Sequence, residues 1–231
     1  MHIIRNQLAT DTSVIVRRDQ ATALLVLLGL GGLYRSWTAI GRGFAGVPGV
    51  DLFVVDYIAR DGLHACEDRL HQHIIQHDLG AYPRLYVLAY ILGGAVLNRY
   101  LARQPLPNLR GVLYDRSPHQ EQVPALMVAR LGRVVRWAVG DVIADLAQVD
   151  ETPYPTSVRL GMLIETYPTR LRRILGRGAS PLVPARYDLA QLRQPYDDYI
   201  WLPLNHDQMY THFDTLTPPI TRFIQGLGLR E

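Results

Sequence analysis

Six short runs of nearly unbroken apolar residues, separated by segments with helical periodicity, constrain this chain more than any other feature. They are residues 23–28 (ALLVLL), 51–56 (DLFVVD), 84–89 (RLYVLA), 110–114 (RGVLY), 159–164 (RLGMLI) and 199–202 (YIWL). None shows the alternation of a strand with one wet face. A strand that is apolar on both sides must be covered on both sides, which is the situation of a strand in a parallel sheet between two layers of helix. Apolar residues at helical spacing fill most of the gaps: 34–44, 63–78, 93–103 and 123–147, with 217–226 closing the chain. Strands alternating with helices imply βαβ units with right-handed crossovers and a mostly parallel sheet flanked by helices. Residues 13–17 are β-branched and alternate weakly, as an edge strand would. The Pro and Gly clusters at 46–49, 104–107 and 152–155 are short and fall between elements, so they read as loops and not as linkers. The expectation is one α/β domain over residues 1–231, with 123–150 forming a small helical cap.

Composition narrows the class further. Apolar residues make up 48% and charged residues 19%, the balance of a folded globular chain. The formal net charge is +3, and all 24 basic residues are Arg. They are scattered. Arg17-Arg18 and Arg170, Arg172, Arg173 form the only tight groups, and no nucleic-acid-binding motif accompanies them, so no nucleic-acid partner is expected. The single cysteine, Cys66, allows no intramolecular disulfide and fits a reducing, cytoplasmic interior. Residues 1–20 are interrupted by charges and lack the apolar run of a signal peptide. The most apolar stretch, 21–33, is shorter than the roughly 20 residues of a membrane span, so no transmembrane segment is expected.

The chemically informative stretch is 85–99, LYVLAYILGGAVLNR. A buried strand turns abruptly into a helix that opens on two glycines. The pattern Ala89-Tyr90-Ile91-Leu92-Gly93-Gly94 resembles the nucleophile elbow G-x-S-x-G of the α/β-hydrolases. Flanking glycines there let strand and helix pass close together, and the sharp turn lifts a serine above the sheet. Here Ile91 stands at the nucleophile position, with no atom that can attack a carbonyl. A β-branched residue is costly at positive φ, so the turn is expected to have relaxed.

Four further segments carry the same resemblance, to the compact bacterial lipase/esterase-like branch of the superfamily, one of them VVDYIARDG (54–62), which resembles the strand and loop after the oxyanion segment. LLGLGGLYRSW (27–37) resembles the oxyanion loop, with Leu28 in place of a His and Gly29 and Gly31 retained. GVLYDRSPHQEQ (111–122) resembles the strand after the elbow. WLPLNHDQMYTHFDTLTPPITRFIQ (201–225) resembles the last strand, the His loop and the last helix. The resemblance implies an α/β-hydrolase fold descended from carboxylic-ester hydrolases. It places His206 where the general base belongs and suggests an acid near 179–183, where no carboxylate lies. Asp115, after the fourth apolar run, is the substitute. Glu165 and Asp188 are judged less well placed. A base with no hydroxyl to activate has no task, so His206 and Asp115 are expected to be vestigial.

Other candidates are weaker. Cys66 has no neighbour in sequence to lower its pKa. Tyr90 could reach the pocket, but a phenol is a poor nucleophile. Ser117 could face the cleft but suits a loop cap. His64, His71, His73 and His77, with Glu67, lie on a helix that reads as solvent-facing and lacks HExxH, so no metal is expected. Gly29-Leu30-Gly31-Gly32 lacks the full dinucleotide fingerprint and Asp56 alone does not rescue it, so no cofactor is expected either. Leu28, Leu30, Ile91 and Leu92, with Gly29 and Tyr90, would make the pocket greasy and suit an acyl chain or other hydrophobic small molecule. The remaining alternatives are non-covalent general-base chemistry by His206 with Asp115, and a structural subunit with a filled pocket that engages a protein partner.

Overall fold

A computed structural model describes residues 2–4, 13–30, 36–115, 123–148, 158–167 and 196–229. The described elements run in the order β1 (His2–Ile4), β2 (Val14–Arg17), β3 (Thr22–Leu27), α1 (Trp37–Phe44), β4 (Asp51–Val54), α2 (Leu63–Gln76), β5 (Arg84–Ala89), α3 (Ile91–Arg103), β6 (Leu109–Asp115), α4 (Val123–Val139), α5 (Val142–Leu146), β7 (Arg159–Glu165), β8 (Asp198–Leu202) and α6 (Phe213–Ile224). The strands form one sheet in the order β1-β2-β4-β3-β5-β6-β7-β8. β2 is antiparallel to β1 and to β4, and every pairing from β4 to β8 is parallel.

The unbroken apolar runs are explained by what covers each face. Along β3 the side chains alternate between two cores. Ala23, Leu25 and Leu27 join a layer containing Leu63, Cys66 and Leu70 of α2 and Leu92 and Val96 of α3. Leu24, Val26 and Leu28 join a layer containing Trp37, Ile40 and Phe44 of α1 and Leu216, Ile220 and Phe223 of α6. Both faces are therefore dry, and all six residues of β3 are buried.

Several boundaries differ from the sequence reading. The 13–17 strand is not at the edge, because β1 pairs outside it. The long helical stretch after β6 is broken twice, by a kink at Gly132 within α4 and again around Gly140 at φ 93°. The last helix begins at Phe213, so the Pro218-Pro219 pair that masked its start lies inside it. α2 is not a solvent-facing helix. It buries Leu63, Cys66, Glu67, Leu70, His73 and Ile74. Its first residue follows Gly62, whose φ of 110° suits glycine and whose missing Cβ leaves room for the Asp145 carboxylate. That carboxylate, from α5, accepts the Leu63 N–H at 2.9 Å and caps α2 from outside its own chain segment. Farther along, buried Glu67 accepts from Arg99 and, at 2.7 Å, from Arg103, tying α2 to α3. Among the described residues, no helix is long and apolar enough to cross a membrane.

Candidate active site

At the carboxyl end of β5 the chain turns through Tyr90 into α3, and Ile91 is the first helical residue. Tyr90 is extended, at φ −73° and ψ 167°. Among the described non-glycine residues only Asp19 and Asp78 have positive φ. The strain that would raise a nucleophile above the sheet is thus absent. The close strand–helix approach expected at this turn is present all the same. The Tyr90 N–H donates to the Leu27 carbonyl at 2.9 Å, and a Cβ on Gly93 would collide with that same carbonyl oxygen. Only glycine lets α3 start this close to β3.

Of the side chains expected to line a pocket, Leu28, Tyr90 and Leu92 are packed into the protein, while Ile91 is half-buried. Leu28 and Tyr90 are 0% exposed and Leu92 is 1%. Leu30 is half-buried against the core on the α2 and α3 face. Tyr90 does not offer its hydroxyl to a cleft. It donates to the Met209 carbonyl at 2.7 Å, and its ring stacks on Tyr210 with centroids 4.6 Å apart. Burial, and then the neighbouring Tyr210, Asp115 and Glu165, hold its phenol well above the ordinary value. The Tyr210 hydroxyl in turn lies against Gly29, 2.8 Å from where a Cβ would stand. Tyr57 donates to the Leu28 carbonyl. The segment resembling an oxyanion loop is thus occupied, in its described part, by tyrosines of the same chain. Gly31, Gly32, Ser117, residues 179–183 and Asp188 lie outside the described residues.

His206 follows β8 in a loop held by a reciprocal pair of hydrogen bonds. The Asn205 N–H donates to the Gln208 side chain at 2.9 Å, and the Gln208 N–H donates to the Asn205 side chain at 3.1 Å. The imidazole meets two acids. Its Nδ1 is 2.9 Å from Oε1 of Glu165, the last residue of β7, and 3.3 Å from Oδ2 of Asp115, the last residue of β6. Both carboxylate side chains are fully buried, while the His206 side chain is 22% exposed. Withdrawal of the ring from water disfavours its charged form. Asp115 and Glu165 together outweigh this and raise its pKa to about 10. The structure therefore brings Asp115 and His206 together, and it corrects the placing of Glu165, which makes the closer contact. The signal for Glu165 was present in the sequence. It directly follows the fifth apolar run, at the end of the strand before the last.

The α2 histidines do not converge. His64 lies 3.8 Å from Asp68, His71 meets the Tyr100 hydroxyl at 3.2 Å, and His73 meets the Asp56 carbonyl at 3.1 Å while stacking on His77. Among the described residues, the acids and histidines whose donor atoms gather within 4.8 Å of one another are Asp115, Glu165 and His206.

No protein-family model matches this sequence, and no curated protein matches it. Solved structures do resemble the fold. An α/β-hydrolase enzyme from a metagenome of lagoon sediments at Mar Chica, Morocco, superposes with a TM-score of 0.61 at 12% identity, over 98% of this chain and 99% of that one. The mature form of a Bacillus licheniformis lipase gives 0.63 at 13% identity, over 87% and 91%. A lipase-esterase related protein from Clostridium acetobutylicum gives 0.54 at 11% identity, over 93% and 100%.

Proposed function

We propose, from the premise that this chain has the α/β-hydrolase fold seen in lipases and esterases, that it is a pseudo-hydrolase that does not cleave esters through an acyl-enzyme. The observation that carries this reading is Ile91. It occupies the start of α3 on relaxed backbone and supplies no oxygen at the point where the fold aims its nucleophile. Loss of a triad nucleophile removes most of an enhancement of roughly 10⁶-fold. Nor does Tyr90 replace it, since its hydroxyl is committed to Met209. Of the two non-catalytic forms, the close packing of Leu28, Tyr90, Leu92 and Tyr210 favours a filled pocket and a structural or scaffolding role with a protein partner over storage of an acyl chain. The buried Cys66 fits a cytoplasmic setting.

One observation favours a second reading. An acid–histidine arrangement is present in Glu165, Asp115 and His206, and general-base activation of water would require the neutral ring, which its raised pKa confines to alkaline pH. A panel of p-nitrophenyl esters from acetate to palmitate separates the two. Wild type is expected to match both buffer and His206→Ala, and Ile91→Ser is expected to gain little, because the turn no longer lifts residue 91. Ester turnover by wild type that disappears in His206→Ala overturns the pseudo-hydrolase reading in favour of the general-base enzyme.

A further inference from the structure

We propose that Asp115, Glu165 and His206 form a divalent-cation site of two carboxylates and one imidazole. The inference rests on the reading that His206 no longer serves as a base to a nucleophile at position 91. The three donors come from the ends of the adjacent strands β6 and β7 and from the loop after β8, so the sheet itself sets their spacing. The Nδ1 to oxygen distances of 2.9 and 3.3 Å match the separation of two donors that share one ion. Ligand bonds of 2.0–2.2 Å at octahedral or tetrahedral angles put such donors about 2.8–3.6 Å apart.

Chemistry points the same way. Carboxylates taken fully out of water are paired or coordinate metals. Here both carboxylates face the same Nδ1, Glu165 at 2.9 Å and Asp115 at 3.3 Å. A cation seated between the three atoms would be held by both acids and the ring at once. It would take the place of the Nδ1 proton, which leaves to solvent. Two oxygens and one imidazole nitrogen suit Mn²⁺, Fe²⁺ or Zn²⁺ over a soft ion. The partial exposure of His206 provides the way in, and water would complete the coordination. The reciprocal Asn205–Gln208 bonds fix the loop that carries His206.

The test uses the full chain, dialysed against EDTA and titrated calorimetrically with MnCl₂ and with ZnCl₂. One cation per chain is expected. Glu165→Gln and His206→Gln should each weaken binding by about 100-fold or more, at or above the cost of losing a supporting contact. A His64→Ala, His71→Ala double variant should bind as wild type does. Asp115 is wholly buried and its variant could fail to fold. A Co²⁺ spectrum therefore provides the second measurement, with visible bands in wild type that are lost in His206→Gln. Absence of saturable binding by wild type, undiminished binding by Glu165→Gln, or binding that follows the α2 histidines would overturn the proposal. Failure here leaves the ester result untouched. Cation binding together with His206-dependent turnover would instead sink the pseudo-hydrolase reading alone.

Discussion

The sec-butyl side chain of Ile91 offers no oxygen at the turn from β5 into α3. A serine at a sharp elbow pays a strain cost that persists only where chemistry rewards it. At Ile91 the turn is an ordinary helix start, and the Tyr90 phenol donates to the Met209 carbonyl. A second residue-scale case is Cys66. It is 0% exposed, and its Sγ accepts the Ala59 N–H at 3.2 Å. Burial pushes the thiol pKa up to about 11, with the Ala59 N–H offsetting only part of the rise. A disulfide-exchange reagent at pH 8 is therefore expected to leave native Cys66 unlabelled and to react fully in guanidinium. Rapid labelling of the folded protein would show that this thiol is reachable.

At the scale of elements, the informative joints are those where one segment completes another. α2 begins at Gly62 without a cap of its own, and Asp145 of α5 supplies it across 82 residues of sequence. Because the donor end of a helix leaves unsatisfied N–H groups, Asp145→Ala should cost about 1 kcal/mol, within the 0.5–2 range of lost caps. Urea unfolding would measure this. A midpoint unchanged from wild type would mean that water caps α2 equally well. The same joint explains why the helices after β6 matter to the body of the fold. Val142, Ile143 and Leu146 of α5 pack into the core shared by α2 and α3.

At the scale of the whole molecule, burial is graded across the sheet. The strands β3, β5 and β6 sit in the middle of the strand order, with Leu25, Val26, Leu27, Ala89 and Val112 all at 0% exposure. β1 pairs on one side only, and β8 is only partly buried over most of its length. Amides of β3, β5 and β6 should thus exchange with solvent most slowly, near the global unfolding free energy, and those of β1 and β8 much faster. Hydrogen exchange read by NMR or mass spectrometry would check this order. Slow exchange at β8 equal to that at β5 would contradict it.

The fold was legible because an unbroken apolar run carries its own instruction. It cannot lie half in water, so six such runs separated by helices leave little besides a covered parallel sheet. The turn from β5 into α3 was legible for a similar reason, since Gly93 and Gly94 mark it locally and the side chain at 91 can be read directly. The acid could not be chosen that way. Asp115 and Glu165 end neighbouring strands and are 50 positions apart in the chain. Only strand order and register bring both to one imidazole, because the contact is decided by pairing across the sheet and not by spacing along the sequence. The pocket followed the same rule. That Leu28, Tyr90 and Leu92 are apolar was plain from their identities. That Tyr210, from the far end of the chain, fills the space beside Gly29 depended on how the last loop packs back over β3 and β5.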